Sequence, residues 1–576
     1  MRPIFLASLM IASSAFWQHS QAADSLEPGR SYERTLNARA TDTYTLNLQK
    51  GAVVSFTLKD NGKDIVILTI LGPQGDVRRA FSSELERDNE STRFLSNESG
   101  AWTFKLSSKA KESSATYALS GLKIALLEPL PAASPREASA RIGRLKNQQD
   151  VTAFWQEIGP NGGPLIEPIK DDAKNMLVTF LWRGDSETTG VLVNYQGCIM
   201  PNPADCLMTR LADTDLWFKS FKIDHRLRTY YSLAPNPPAI SRETFEGLSA
   251  DQSMNVLLPL FERIRVLEQR DPLNPKSFFE APDDPDVPAH RGVSKLELPD
   301  APPQPWADKR ANVPAGKIAK QKFASALLKN SRDISIYTPP GYAKDAPPYD
   351  LLFVFDGDTY INVVPTPTTL DNLIADKRIA PTVAVIIGNA HGARDVELPC
   401  NPTFADFLHA ELMTWVRRAY NVTGDPHHVT IVGSSYGGLA ATYAAFRHPE
   451  TFGNVLSQSG SYWWTPPADP SMPANPFSDA DPSYIAQLFV NSPRLPVRFY
   501  LDAGTMELDM TGRGSSILVP NRHLRDVLRA KGYEVFYQEF HGAHDYVSWR
   551  GTIADGLILL GSSSGASSEA GQPTTK

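Results

Sequence analysis

Short runs of alternating apolar and polar residues dominate the first part of the chain after residue 24. Gly, Asn and Asp separate these runs, which are clearest at residues 43–48, 53–58, 65–71, 102–106 and 117–122. A period of two interrupted by turn residues predicts short strands that bury one face. We therefore predict a small β-sandwich over residues 24–125.

A second β-rich stretch follows a linker at residues 126–160, which has room for one short helix. β-branched and aromatic residues predict strands at residues 176–183, 191–195, 216–223 and 229–233. Helical periodicity over residues 253–270 ends this second unit, a predicted β-sandwich at residues 161–280. Residues 281–314 are crowded with prolines, so we expect an extended linker that lacks a core of its own and wraps one domain against the next.

Strands and helices alternate over residues 315–562. Continuous apolar runs at residues 351–355 and 383–387 are typical of parallel strands buried on both faces. Helical periodicity at residues 404–420, 520–531 and 548–560 separates further strands at residues 453–457, 499–502 and 535–540. This alternation predicts an α/β fold with a doubly wound, mostly parallel sheet. The Gly- and Ser-rich tail, residues 563–576, is expected to be disordered.

The sequence Gly433-Ser434-Ser435-Tyr436-Gly437 joins a β-branched run to an Ala-rich stretch. A Gly-x-Ser-x-Gly motif between a strand and a helix predicts a strained turn that presents Ser435 at the helix N-terminus, where negative charge is favoured. The motif alone also occurs by chance. The strand before it, the helix after it and the downstream partners favour Ser435 as a nucleophile.

A serine hydroxyl needs a base, and the base needs a partner that holds its tautomer. His544 follows the last predicted strand and is the preferred base, with His541 as the competitor. Glu507 is the preferred acid and Asp509 the second choice, whereas Asp502 is expected inside a strand.

The tetrahedral oxyanion needs two N–H donors. One is expected at Tyr436, and the other in the loop after residue 355, at Gly357 or Asp358, although the latter residues also suit an ordinary turn.

Composition excludes some classes of function. The chain has 576 residues, 41% of them hydrophobic, and a net charge of −7, which gives no electrostatic reason to bind nucleic acid. Residues 1–23 resemble a secretory signal, with Arg2, an apolar stretch at residues 4–17 and small residues at Ser20 and Ala22. That stretch is too short to span a bilayer, and no other stretch is long enough. The mature protein is therefore expected in the periplasm or outside the cell.

Three cysteines are too few for a disulfide scaffold. Cys198 and Cys206 flank a short loop and could form a bridge in an oxidising compartment, which would leave Cys400 free; the alternative is that they do not pair. No Cys/His spacing resembles a zinc site, and His427-His428 reads as structural or solvated, so neither a metal site nor a cofactor is expected.

Several strings resemble the enterochelin (enterobactin) esterase family of α/β-hydrolases, at residues 177–183, 211–217, 271–275, 397–401, 433–438, 457–464 and 544–550. The resemblance implies an immunoglobulin-like N-terminal domain capping a hydrolase that cleaves the ester bonds of a cyclic tri-catecholate siderophore. It places the nucleophile at Ser435 and the base at His544. Some relatives look like Ser-His dyads, so Glu507 stays open.

The first sandwich resembles the bacterial pre-peptidase C-terminal domain, a binding or spacer module. The motifs that carry this likeness are Tyr44-x-Leu46-x-Leu48, Gly51, Pro73-x-Gly75, Gly100-x-Trp102 and Tyr117-x-Leu119.

A ferric tri-catecholate carries three negative charges and aromatic faces, so its pocket should offer cations and rings. The candidates are Arg394, Arg550, Tyr462, Trp463 and Trp464. Alternatively, Arg550 pairs with a nearby carboxylate, and the two tryptophans pack beneath the elbow. Iron would arrive with the substrate. Two other functions stay open, which are hydrolysis of feruloyl or acetyl esters of polysaccharides and siderophore binding without catalysis.

Overall fold

The computed structural model describes residues 24–38, 40–50, 52–60, 66–75, 77–82, 92–96, 98–108, 114–126, 139–195, 203–238, 264–278, 292–466, 483–507 and 516–562. The predicted signal segment and C-terminal tail lie outside these residues. The chain divides into two compact units, Met1–Leu126 and Leu127–Lys576. None of the helices in the described ranges has both the length and the apolar character needed to cross a bilayer.

The first unit is built from strands. They are β1 Asp24–Ser25, β2 Tyr32–Leu36, β3 Thr41–Leu48, β4 Ala52–Asp60, β5 Val66–Leu71, β6 Val77–Ser82, β7 Thr92–Leu95, β8 Gly100–Ser108 and β9 Ala115–Leu126. They form one sheet of order β1-β3-β8-β5-β6 and another of order β2-β9-β4-β7. Alternate residues of both sheets enter one shared core, as the period of two predicts. The unit is therefore a β-sandwich.

A pair of tyrosines bridges the two sheets of this sandwich. The hydroxyls of Tyr44 on β3 and Tyr117 on β9 lie 2.6 Å apart, and the Tyr117 hydroxyl donates to Asp42 Oδ2 at 2.7 Å. Burial raises the pKa of both hydroxyls, so they stay protonated and act as donors. Tyr44, Trp102 and Tyr117 of the motif residues lie in the core, whereas the likeness to the pre-peptidase domain stays a prediction.

The second unit begins with a helix and a second pair of sheets. The elements are α1 Gln148–Ile158, β10 Leu165–Ile169, β11 Asp172–Arg183, β12 Val191–Asn194, β13 Thr209–Arg210, β14 Leu216–Asp224, β15 Arg228–Pro235, β16 Ser277–Phe278 and β17 Val293–Glu297. The sheet orders are β10-β11-β14-β13 and β12-β15-β17-β16. The predicted helix at residues 253–270 lies mostly outside the described residues, and Gln269 instead forms a β-bridge with Leu233.

The predicted linker at residues 281–314 is partly wrong, because β17 lies inside it. Ser294 and Leu296 alternate with less buried neighbours and pair β17 with β15, so this segment belongs to the sandwich core. The prolines that suggested a linker come mainly after residue 297. That later stretch contacts two helices of the hydrolase part, since Trp306 Nε1 donates to Asp376 and Gln304 donates to the Val547 carbonyl.

A buried polar network holds the end of the sandwich. Asp271 accepts hydrogen bonds from the Tyr231 hydroxyl at 2.6 Å and from the Leu273 N–H at 2.8 Å. Asn274 donates to the Tyr231 hydroxyl at 3.1 Å and to the Lys295 carbonyl at 3.0 Å. These contacts satisfy polar groups that would be costly to bury unpaired. Asp271 and Asn274 belong to the string at residues 271–275 that carried the family resemblance.

Among the described residues, the hydrolase part has one sheet of eight strands in the order β18-β19-β21-β20-β22-β23-β24-β25. These are β18 Lys317–Ser325, β19 Asn330–Thr338, β20 Asp350–Val354, β21 Thr382–Ile387, β22 Val429–Ser434, β23 Asn454–Gln458, β24 Arg498–Gly504 and β25 Val535–Phe540. Neighbouring strands from β21 through β20, β22, β23 and β24 to β25 pair in parallel. The pairs β18–β19 and β19–β21 are antiparallel. The predicted, mostly parallel sheet is confirmed.

Helices cover both faces of this sheet and produce a core on each side. They are α2 Gly357–Asn362, α3 Thr366–Ala375, α4 Arg394–Glu397, α5 Pro402–Asp406, α6 Met413–Ala419, α7 Tyr436–Arg447, α8 Tyr484–Asn491, α9 Leu518–Ala530 and α10 Tyr546–Ser562. A π-helical turn, Phe407–Leu412, joins α5 to α6, so the single helix predicted at residues 404–420 is continuous but irregular.

Two of the three cysteines fall within the described residues. Cys206 is disulfide-bonded, whereas Cys400 is a free, buried thiol. Burial raises the pKa of the Cys400 thiol, which therefore behaves as a small apolar side chain. Cys198, the predicted partner of Cys206, lies outside the described residues.

Candidate active site

Ser435 occupies a sharp turn between β22 and the helix α7. Its backbone angles are φ 56° and ψ −122°, a conformation that side-chain-bearing residues rarely adopt. The turn closes tightly because Gly433 and Gly438 lack side chains. A Cβ on Gly433 would lie 2.4 Å from the Gly437 carbonyl carbon, and one on Gly438 would lie 2.4 Å from Ser457 Oγ. The predicted elbow is therefore present in the structure.

Neighbouring strand ends carry similar strain. Asp356 after β20, Ser435 after β22 and Ser459 after β23 all have a positive φ, of 54°, 56° and 47°. Since β20, β22 and β23 are adjacent and parallel, these residues lie at one edge of the sheet. Ligands of open α/β sheets bind at the carboxyl ends of the strands, and strained residues gather at functional sites. This edge is the candidate active site.

Glu507 and His544 form a hydrogen-bonded pair at the same edge. His544 Nδ1 lies 2.6 Å from Glu507 Oε1, so its N–H donates to the carboxylate. Glu507 is completely buried, and its Oε2 accepts the Gly504 N–H at 2.6 Å. Glu507 lies in a 3-10 turn directly after β24, where the acid of a triad was predicted. Fixing Nδ1 as the donor leaves Nε2 as the nitrogen that can accept a proton.

The competing residues have other surroundings. His541 Nδ1 lies 3.8 Å from Asp224 of the sandwich, and burial lowers its pKa. Asp502 lies within β24, as predicted, and its Oδ1 accepts the Ser459 N–H at 3.1 Å. Asp509 lies outside the described residues. The structure thus places Glu507, not Asp502, beside His544.

Ser461 is a site residue that the sequence reasoning missed. Its Oγ lies 3.2 Å from Ser435 Oγ, and its N–H donates to the Ser435 carbonyl at 3.0 Å. It follows the strained Ser459, whose Oγ accepts the Trp549 Nε1–H at 3.0 Å. The ring of Trp549 in turn packs edge-on against His544, with centroids 4.8 Å apart. This chain of contacts connects Ser435 to the loop that carries His544.

The expected oxyanion donors lie at two helix N-termini. Tyr436 begins α7 and Gly357 begins α2, positions at which a backbone N–H has no acceptor within its helix. The two loops approach closely, because a Cβ on Gly437 would lie 3.4 Å from Asp356 Oδ2. The side chain of Asp358 points elsewhere and pairs with Lys320 at 3.3 Å. Between them the loops can provide two donors for a developing negative charge.

Arg394 holds the loop that carries Gly357. Its Nε and Nη2 donate to the two oxygens of Asp356 at 2.7 and 2.9 Å, and Asn389 adds a third hydrogen bond at 2.7 Å. Bidentate pairing of this kind fixes orientation as well as charge. The sequence predicted Arg394 as a contact to an anionic ligand. The structure gives it a neighbour that already neutralises its charge, and its side chain is 32% exposed.

The other expected ligand residues lie in different environments. Trp463 is partly exposed, with its ring 5.8 Å from that of Tyr436, and Trp464 packs edge-on against Tyr484. Tyr462 is fully buried and its hydroxyl bonds to Thr442, so the structure gives it no surface for a ligand. Arg550 donates to Asp308 at 2.8 Å and thereby ties α10 to the proline-rich stretch. Trp463 is the member of this set that lies next to the elbow.

One group of side chains resembles a metal site, at the far end of the elbow helix. Nitrogen or oxygen atoms of His409, His448 and Glu450 lie within 4.8 Å of one another. The two imidazole rings stack in parallel with centroids 4.3 Å apart. Parallel rings do not aim their in-plane lone pairs at one ion, and both nitrogens of His448 already face the carboxylates of Asp406 and Glu450. The group is a hydrogen-bonded cluster, not a preformed metal site.

Comparisons with known families agree with this geometry. The Esterase family model matches residues 325–560, and the model for the N-terminal domain of enterochelin esterase matches residues 177–307. Together with the elbow and the acid–base pair, these matches define the chain as a serine ester hydrolase of the α/β-hydrolase fold.

Individual relatives indicate which kind of ester hydrolase this chain resembles. The iron(III) enterobactin esterase of Escherichia coli O6:H1 is 30% identical over 430 residues, which span 71% of this chain and 96% of that protein. The Dickeya dadantii enzyme of the same name is 29% identical over 75% of this chain and 97% of its own length. The Shigella flexneri enterobactin esterase, crystallised in the presence of enterobactin, matches with a TM-score of 0.56 at 28% identity, over 71% and 97% of the two chains. The chain belongs to the enterobactin esterase family.

The buried carboxyl of Asp502 predicts how stability depends on pH. Burial raises its pKa from 3.8 to about 8, so the folded protein binds this proton more tightly than the unfolded chain. Its contribution to stability is therefore full below about pH 4 and is lost as pH rises to about 8, by up to ~1.4 kcal/mol per pH unit. Asp502→Asn should flatten the unfolding free energy in this window, as measured in urea at several pH values. Identical pH curves for variant and wild type would contradict this.

The pair of Arg394 with Asp356 predicts a kinetic signature. Arg394→Lys keeps the charge but loses two-point contact with Asp356, so the loop carrying Gly357 should be held less firmly. We expect kcat for a simple ester to fall by about tenfold, with KM changed by less than about twofold. A higher KM at unchanged kcat would instead show that Arg394 binds the substrate directly.

Proposed function

We propose that this protein hydrolyses the ester bonds of a ferric catecholate siderophore such as enterobactin and so releases its iron. The observation that carries the proposal is the extent of the family match. It spans 96–97% of the length of enterobactin esterases, including the N-terminal domain typical of that family, and not the hydrolase part alone. The elbow and the Glu507–His544 pair supply the chemistry that such a reaction needs.

The reaction follows the logic of a serine hydrolase. Ser435 Oγ attacks the ester carbonyl while His544 accepts its proton, and Glu507 stabilises the resulting imidazolium. The N–H groups of Tyr436 and Gly357 hold the oxyanion. His544 then protonates the departing alcohol, and water, activated by the same imidazole, releases the acyl group from Ser435.

The surroundings of Ser435 suit an aromatic ligand. Trp463 and Tyr436 lie beside the elbow with ring centroids 5.8 Å apart. Catechol rings can pack on such side chains. Because the Arg394 guanidinium is already paired with Asp356, we expect the site to select its substrate by contacts with aromatic rings more than by charge.

The proposed location is the periplasm or the exterior, and the support for it is the signal-like sequence of residues 1–23. Hydrolysis would then occur before the iron enters the cytoplasm. Fractionation of expressing cells and N-terminal sequencing test this location. Protein confined to the cytoplasm and starting at Met1 would refute it.

A panel of esters tests the function. Purified protein should hydrolyse ferric enterobactin faster than feruloyl or acetyl esters of polysaccharides, as followed by liquid chromatography of the products. Ser435→Ala should abolish hydrolysis while ligand binding, measured by quenching of tryptophan fluorescence, persists. The neighbouring Ser434 is buried in β22, so Ser434→Ala is the matched control and should keep its activity.

Two results would reject the proposal in different ways. Turnover of feruloyl esters alone would indicate a polysaccharide esterase. Siderophore binding by wild-type protein without any hydrolysis would indicate a binding protein that has kept the fold.

A further inference from the structure

The loop that carries His544 is held by the second sandwich, strands β10 to β17, as well as by the hydrolase sheet. At its start, the His541 carbonyl accepts the Arg228 N–H at 3.1 Å. At its end, the Ser548 hydroxyl lies 3.4 Å from the Arg228 carbonyl. Arg228 itself is fixed by Glu297, to which its Nε donates at 2.9 Å. The start of β15 is therefore hydrogen-bonded to both ends of the loop that carries His544, at His541 and at Ser548.

A buried side-chain contact lies between these two anchors. The Thr229 hydroxyl donates to Asp545 Oδ2 at 2.8 Å, across 316 positions of the chain. Both residues are almost inaccessible, at 1% and 2% exposure. The other Asp545 oxygen accepts the Ser548 N–H at 2.9 Å, which caps α10. Asp545 directly follows His544, so its carboxylate fixes the backbone next to the base.

We propose that Thr229 is a positioning residue for catalysis and that the second sandwich acts on the reaction by holding His544 in place. The inference rests on the proposed serine-ester chemistry but not on which ester is the substrate. It differs from a capping role, because Thr229 and Asp545 are both buried and so have no surface with which to touch a ligand. Small displacements of a catalytic group are costly, since an error of about 1 Å can reduce the rate by about a hundredfold.

Removing the hydroxyl tests the role of Thr229. Thr229→Val keeps the shape of the side chain but leaves Asp545 with one donor fewer. We expect kcat for p-nitrophenyl butyrate to fall by about tenfold or more with KM within about twofold, because substrate contacts are unchanged. Thr229→Ser, which restores the hydroxyl, should recover most of the lost kcat. Stoichiometric labelling with a fluorophosphonate counts the folded active sites and corrects each kcat.

Thr179→Val is the matched control. Thr179 is buried in the same sandwich, and its hydroxyl lies 2.8 Å from Ser220 Oγ on the neighbouring strand. This variant should lose stability but keep its corrected kcat. If Thr229→Val does not fold, Thr229→Ala removes the same hydroxyl without the added methyl group.

The possible results distinguish failure of the positioning role of Thr229 from failure of the proposed siderophore esterase function. Equal corrected kcat for Thr229→Val and wild type, or equal losses for the Thr179 and Thr229 variants, would overturn the positioning role. Failure of the serine variant to recover activity would also overturn it. If wild-type protein hydrolyses p-nitrophenyl butyrate but no siderophore, the proposed function fails while the role of Thr229 can still be measured.

Discussion

The hydrogen bond between Glu507 and His544 Nδ1 is the interaction on which the candidate site depends. A carboxylate buried completely needs donors for both oxygens, and this one has His544 on one side and the Gly504 N–H on the other. Gly504, the last residue of β24, supplies that N–H, and the Ile517 N–H and Ser516 hydroxyl hold the Glu507 carbonyl. The loop of His544 is fixed in turn by Met506, whose N–H donates to Gly542, and by Arg228 and Thr229 of the sandwich.

A second constraint is the strain gathered at one edge of the sheet. Asp356, Ser435 and Ser459 each occupy a left-handed conformation that costs about 1–3 kcal/mol. Such residues persist when their surroundings over-determine them. Here the parallel strands β20, β22 and β23 are buried on both faces, and their terminal residues are tied by Arg394, Gln458 and Asp502. A rigid sheet thus supports a site in which small distances matter.

Local signals in the sequence were sufficient for the parts of the site whose geometry is local. The Gly-x-Ser-x-Gly turn, the strand before it and the position of Glu507 after β24 follow from neighbouring residues. The sequence pattern could not predict contacts between side chains from distant segments of the chain. In the sequence Arg394 is a free cation, whereas in the structure it pairs with Asp356. Tyr462 was predicted to contact the ligand, but it is buried and bonds to Thr442. No residue near Thr229 in the sequence indicates its contact with Asp545. Prolines also obscured β17, because they lie on both sides of it, at residues 282–288 and 299–305, and draw attention away from the alternation of Ser294 and Leu296.

Replacing Glu507 by Gln is the most direct test of this account. The amide keeps the size of the side chain but no longer fixes the His544 tautomer or stabilises its imidazolium, so kcat for a simple ester should fall by about a thousandfold or more while the fold is retained. Comparable activity of Glu507→Gln and wild type, with labelling of Ser435 unchanged, would show that the site works as a dyad and contradict the account.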